Sequence, residues 1–187
     1  MEPSKSEMRA RISAAREALS PEDAAGRSER IRRRVLDVPE VRAAASVFAY
    51  VSCGKEVDTH GLIRDLIAAG KTVLAPLITG DGIMEAHRIA ALGDLAPGKF
   101  GILAPRTPSL FAETPDVTIC PGVAFSRRGD RLGRGKGFYD RFLAGHPGTF
   151  AIGLAYSIQV VEGVPATPED RRVDLLVTED GIRGQAI

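Results

Sequence analysis

Apolar positions along this chain open with helical spacing and then turn into short buried-type runs. From Ser4 to Leu19, Met8, Ile12, Ala15 and Leu19 recur at i, i+4, i+7 and i+11, the stripe of an amphipathic helix. Ser20-Pro21-Glu22-Asp23 starts a second helix: Ser20 can cap, Pro21 suits the first turn, and Asp23 favours the positive end of the dipole. Its inner face carries Ala24, Ser28, Ile31 and Val35. Strands are expected at Ser46–Val51, Thr72–Leu77, Ile83–Ile89 (weaker), Val117–Cys120, Phe150–Ala155 and Val173–Thr178. Between the first two, Asp58 or Thr59 can cap a helix that buries Leu62, Ile63, Leu66 and Ile67 and stops at Gly70. Residues 93–115 are rich in Gly and Pro and read as irregular connection, and Gly137 to Leu143 fits a short helix. Alternating strands and helices with near-continuous apolar strands predict an α/β fold: one domain over residues 1–187, a largely parallel sheet flanked by helices, and two N-terminal helices. Ligands of such sheets sit at the carboxyl ends of strands, so the loops after Val51, Cys120, Ala155 and Thr178 are the places to search.

Composition narrows the classes. The 187 residues carry 25 basic and 24 acidic side chains, a net charge of +1 that removes the electrostatic case for a dedicated nucleic-acid binder. No apolar run is long enough to span a membrane, and Met1 to Glu7 has no signal-peptide core, so the expectation is a cytoplasmic protein. Two cysteines, Cys53 and Cys120, make neither a disulfide framework nor a zinc site, and Cys53 reads as inert. His60, His87 and His146 are scattered and read as non-catalytic; nothing signals an oligomer, and a monomer is expected.

The most informative stretch runs from Gly129 to Arg141. Gly133, Gly135 and Gly137 alternate with Arg134 and Lys136 between an expected strand and an expected helix. Glycines permit positive φ and expose amides, and with Arg131, Arg134 and Lys136 they form an anion cradle. A Walker A loop is excluded, because Asp130 stands where its first Gly belongs and Gly137 follows the lysine. The dinucleotide fingerprint fails at Phe138. Asp140, beside the cradle, and Asp170 are candidate Mg²⁺ carboxylates. Asp140 could equally be a surface pair of Arg141 or a helix-dipole partner, and Asp170 an ordinary turn residue. Lys5 and Arg9 flank the first helix's apolar stripe, where they either reach a cleft or lay their stems over the core. Glu56 follows the first strand and is either a site residue or a first-turn helix residue. Met8, Phe125 and Phe138 read as core or as the lining of an apolar slot.

Taken with their order, these pieces resemble the 5-formyltetrahydrofolate cyclo-ligase family, also called methenyltetrahydrofolate synthetases. The matching segments are Lys5-Ser-Glu-Met-Arg9, Lys55-Glu56-Val-Asp-Thr59, Asp116 to Phe125, Gly129 to Arg141, Gly153-Leu-Ala, Gln159, Val164-Pro165 and Asp170 to Glu179. The resemblance implies ATP- and Mg²⁺-dependent cyclisation of 5-formyltetrahydrofolate to 5,10-methenyltetrahydrofolate, with ADP and phosphate released. It implies an ATP site of Lys5, Arg9, Arg131, Gly133, Arg134, Gly135, Lys136, Gly137, Phe138 and Tyr139. A folate site of Val51, Glu56, Arg134, Gly135, Lys136, Gly137 and Phe138 is implied with it, as are metal ligands Asp140 and Asp170. Lys136 and Arg134 are the implied catalytic cations. Phe138 stands where many members carry Tyr; it loses a hydroxyl and keeps a ring. A non-catalytic folate or nucleotide binder of the same fold is the alternative.

Overall fold

The protein is described by a computed structural model over residues 3–80 and 82–184. Helix α1 (Lys5–Glu17) starts after Ser4, whose hydroxyl accepts from the Glu7 amide while the Glu7 carboxylate accepts from Ser4 N. It ends two residues before the expected Leu19 and buries Met8 and Ile12, with Arg16 on the same face. Ser20 caps α2 (Pro21–Asp37) through Asp23 N, and Ser28, Ile31 and Val35 form its buried face. A short α3 (Pro39–Ala43) leads into β1 (Ser46–Ala49). This strand stops before the expected Val51 because Thr59 takes over the backbone: its hydroxyl donates to Tyr50 O and accepts from Ser52 N. Thr59 sits at the N-cap of α4 (His60–Ala68) without capping it, its hydroxyl being spent on that strand end; Asp58 accepts from His60 N instead. Gly70, at φ 77°, ends the helix as expected.

Strand β2 (Thr72–Gly80) turns back into β3 (Ile83–Ile89), a full seven-residue antiparallel partner. The Gly/Pro-rich stretch departs from the expectation of irregular connection. It holds an antiparallel ribbon, β4 (Leu95–Pro97) and β5 (Leu103–Pro105), turned by Phe100 and Gly101 in left-handed conformation (φ 58° and 72°). There follow β6 (Val117–Cys120), β7 (Ala124–Ser126), β8 (Arg131–Leu132), α5 (Phe138–Gly145), β9 (Phe150–Leu154), β10 (Val160–Val161), β11 (Leu175–Thr178) and β12 (Gly181–Gly184).

The main sheet runs β12-β11-β9-β6-β1-β2-β3. From β11 to β2 all pairings are parallel, and β12 and β3 lie antiparallel at the two edges. Alternate residues of the central strands feed different layers. Val47 and Ala49 pack with Ile31, Val35, Leu62 and Leu66 of α2 and α4, while Phe48 packs with Phe142 of α5. A smaller sheet, β10-β7-β8, is covered by α1 through Met8 and Ile12 against Ala124 and Leu132. From β1 the chain moves to β2 on one side, whereas β6, β9 and β11 build outward on the other. The strand order therefore reverses between β1 and β6, which opens a crevice at their carboxyl ends.

Candidate functional site

A cavity of about 390 Å³ occupies that crevice. Tyr50, Val51, Cys53 and Glu56 enter it after β1, and Pro121 and Gly122 after β6. The segment from Arg131 to Asp140 forms one wall, Lys5 and Arg9 of α1 another, and Asp170 and Phe100 its rim. The structure thus brings together every site residue expected from the sequence: Lys5, Arg9, Val51, Glu56, Arg131, Gly133 to Asp140, and Asp170. The expected loops after Ala155 and Thr178 do not reach this cavity.

The wall between β8 and α5 is a run of open backbone donors. None of the amides from Gly133 to Asp140 donates to another described group. Two features keep them open. Gly135 and Gly137 adopt φ 93° and 65°, which turns the chain without forming a ladder, and Gly137 caps α5 with no side chain to accept from the first turn. Arg9 Nε holds the loop at one end by donating to Gly133 O at 2.8 Å, and Arg141 Nη2 at the other by donating to Lys136 O at 2.6 Å. Open amides at a helix start are a geometry suited to anions.

The cations of the wall are mostly engaged. Arg131, expected as an open cation, is buried with its side chain 3% exposed and donates to Asp140 Oδ1 at 2.6 Å. Lys5 pairs with Asp170 at 2.6 Å, and Arg134 with Glu56 at 2.8 Å. Partial burial works against the Asp170 charge, yet the Lys5 contact prevails and holds its carboxyl below the usual aspartate range. Lys136 has no carboxylate partner among the described residues; its ammonium lies 5.3 Å from the Phe100 ring centre. Phe138 reaches the same ring at 6.2 Å, so it lines the slot, whereas Met8 and Phe125 are core. Tyr139 stacks on Phe48 at 6.1 Å, and burial pushes its phenol well above its ordinary pKa.

No group of three or more His, Cys, Asp or Glu is arranged for a metal among the described residues. Asp140 and Asp170 nonetheless suit Mg²⁺. Each spends one oxygen on internal partners, Asp140 Oδ1 on Arg131 and Arg171 N, Asp170 Oδ2 on Lys5 and Thr167, and each keeps the other oxygen unpartnered. One or two carboxylates beside a phosphate cradle are the usual protein share of such a site.

Two supporting residues escape sequence reasoning. Tyr156 Oη donates to the Glu56 carbonyl at 3.2 Å and pairs with Ser28 Oγ at 2.9 Å, and Ser28 Oγ accepts from Asp58 N. Together they clamp the turn that carries Glu56. They lie 128 residues apart in sequence; Ser28 shows only as a polar member of the α2 inner face, and nothing local links it to Tyr156. A larger cleft of about 560 Å³ lies behind that turn, between α2 and α4, and shares only Glu56 with the first. Its Arg32 is bound to Glu29 and Asp65. Ser52, Asp58 and His60 cluster without forming a catalytic triad, because serine and aspartate both meet the same ring nitrogen, Nδ1.

Comparison with known proteins bears on the family and the fold. A profile of the 5-formyltetrahydrofolate cyclo-ligase family matches residues 1–179. The 5-formyltetrahydrofolate cyclo-ligase of Escherichia coli (strain K12) is 33% identical over 170 residues, covering 87% of this chain and 93% of that protein. The mitochondrial one of Arabidopsis thaliana is 31% identical over 194 residues, covering 88% and 70%. The solved structure of Aquifex aeolicus 5,10-methenyltetrahydrofolate synthetase superposes with a TM-score of 0.88 at 33% identity, covering 98% of this chain and 93% of that one. A synthetase from Mycoplasma pneumoniae, at 22% identity and a TM-score of 0.76, shares the fold. A profile match over residues 1–179, relatives above 30% identity and the same fold place the chain in the 5-formyltetrahydrofolate cyclo-ligase family.

Proposed function

We propose that this protein cyclises 5-formyltetrahydrofolate to 5,10-methenyltetrahydrofolate at the expense of ATP, releasing ADP and phosphate. The observation that carries the reading is the run of unpartnered amides from Gly133 to Asp140 at the crevice between β1 and β6, with Lys136 uncommitted beside it. A formamide oxygen is a weak nucleophile and a poor leaving group. Transfer of the γ-phosphoryl group to it gives an iminium phosphate; N10 of the folate attacks the activated carbon and gives up its proton to solvent, and phosphate departs with the formyl oxygen as the carbon–oxygen bond breaks. Such a transfer asks the protein for positioning and charge stabilisation more than for covalent help.

In this reading the open amides and Lys136 hold the phosphates, Lys5 and Arg9 border the nucleotide, and Arg134 joins the transferred group. Glu56 accepts N–H groups of the folate ring, Val51 floors it, and Phe138 offers a face for stacking. Asp140 and Asp170 would hold Mg²⁺, which would supply neutralisation of phosphate charge. The decisive test is absorbance of methenyltetrahydrofolate with purified protein, 5-formyltetrahydrofolate, ATP and Mg²⁺, and with each omitted in turn. Signal growth that needs all three is expected. No signal from folded protein and intact substrate would leave a folate or nucleotide binder in its place.

A further inference from the structure

The cation best placed to join the phosphates is paired across the crevice, away from them. Arg134 comes from the glycine loop, yet its Nη2 reaches across the crevice to Glu56 Oε1 at 2.8 Å and to Cys53 Sγ at 3.6 Å. The arrangement is built from both sides. Glu56 Oε2 accepts from the Cys53 amide at 3.0 Å, and Tyr156 Oη holds the Glu56 carbonyl, so the carboxylate is fixed while the arginine is the half-exposed, movable partner. Of the other cations of the wall, Lys136 already stands at the cradle without a carboxylate partner among the described residues, and the rest are committed. Arg131 is buried on Asp140, Lys5 is on Asp170, Arg9 is on Gly133 O and Arg141 spans Gly82 O and Lys136 O.

We infer that Glu56 is a positioning residue for the nucleotide: it withholds Arg134 from the phosphate cradle until a folate ring takes over its carboxylate. This rests on the folate and ATP sites proposed above. A ring that presents N–H donors to Glu56 replaces the guanidinium as its hydrogen-bonding partner, and the freed Arg134 turns to the nearest concentrated anion, the nucleotide phosphates. The two substrates thereby help each other bind. Linkage makes the help reciprocal, and a factor of about five or more is the usual size of such coupling.

The test is calorimetric binding of a non-hydrolysable ATP analogue with Mg²⁺, without folate, to the wild type, Glu56→Gln, Arg134→Ala and the double variant. Removing the carboxylate is expected to tighten the analogue at least about fivefold, the sign opposite to damage at a binding site. In the Arg134→Ala background the same change is expected to have less than about a twofold effect, because the two side chains act as one unit. Saturating 5-formyltetrahydrofolate is expected to tighten the analogue on the wild type by a similar factor. Glu56→Asp, whose shorter side chain keeps the charge but loses the reach to Arg134, serves as the second variant and is expected to behave like Glu56→Gln. Unchanged or weaker binding to both variants overturns the inference. So does an equal gain in the Arg134→Ala background, which would mark simple removal of a negative charge. A wild type that binds no analogue at all removes the ATP site itself, and with it this inference.

Discussion

Removing Asp140 is expected to unsettle the protein before it touches the chemistry. Its partner Arg131 has a side chain only 3% exposed, Asp140 itself is 18% exposed, and Asp140 is the one carboxylate that Arg131 meets among the described residues. Arg131 Nε is already buried without a partner, and its Nη1 reaches only Pro121 O, at 3.5 Å. Asp140→Ala would therefore strand a guanidinium in the core and also strip the acceptor from Arg171 N. Breaking a buried pair from one side costs about 3–5 kcal/mol. For a chain of this size each kcal/mol moves the midpoint by about 2–4 °C, so a fall of roughly 6–20 °C is expected. Urea or thermal unfolding followed by circular dichroism measures it. Arg131→Met added to Asp140→Ala removes the stranded charge and is expected to restore much of the loss. A single variant within about 1 kcal/mol of the wild type would refute the reasoning, because a stranded buried charge cannot be that cheap. Asp170→Ala is the contrast: its pair with Lys5 is 23% and 31% exposed, and exposed pairs contribute about 0–1 kcal/mol. Asp170→Ala also strips the acceptor from Thr167 N, but it strands no buried charge, so of the two candidate metal carboxylates it is the one whose removal disturbs stability less.

Lys136→Ala is expected to lower turnover at least about tenfold, roughly 1.4 kcal/mol of transition-state stabilisation, in the methenyltetrahydrofolate assay; near-wild-type turnover would remove Lys136 from the cradle. A thiol reagent is expected to label one cysteine of the native protein and two after denaturation, since Cys53 lines the cavity while burial pushes the Cys120 thiol up to about 12. Hydrogen bonds from the Ser46 and Ala45 backbone outweigh burial and hold the Asp116 carboxyl below its ordinary value. A depressed pKa stabilises the fold above the unfolded value, near ~3.9, and that contribution is lost as pH falls through the folded one. The stability gap between wild type and Asp116→Asn, measured by urea titration, is accordingly expected to be constant above about pH 5 and to shrink below ~3.9.

What the chain shows locally and what it hides follow from the range of the forces involved. The Ser20-Pro21 start, the Gly70 stop and the apolar central strands are written in neighbouring residues, because caps and buried strands impose local patterns. The glycine loop is visible for the same reason: alternate glycines are a local requirement of a backbone that must turn and leave its amides open. The β4–β5 ribbon is not visible, because strands of three residues are too short for a period. Nor are the pairings that decide how the site is charged. Arg134 meets Glu56 across 78 residues and Lys5 meets Asp170 across 165, and no spacing rule predicts which cation answers which acid. Arg16 shows the limit from the other side. It follows Arg9 by one heptad, and that spacing makes it a second cation flanking the apolar stripe, yet the fold buries it beside Met8 and Ile12.

Phe125 occupies room that two missing side chains leave. A methyl on Gly122 or on Gly153 would stand 2.5 Å from its ring, on β7, and the Gly122 methyl would also press the Arg131 stem at 3.2 Å. The ring thus lies beneath a residue that lines the crevice and one on β9, and it sets how deep the crevice floor can lie. Either methyl would overpack a full core, at a cost of about 1–3 kcal/mol. In a genetic selection that depends on this enzyme, revertants of Gly153→Ala are expected to recur at codon 125 as smaller residues, and the same second change is expected to rescue Gly122→Ala less well. Three positions scattered along the chain would then be inherited as one volume.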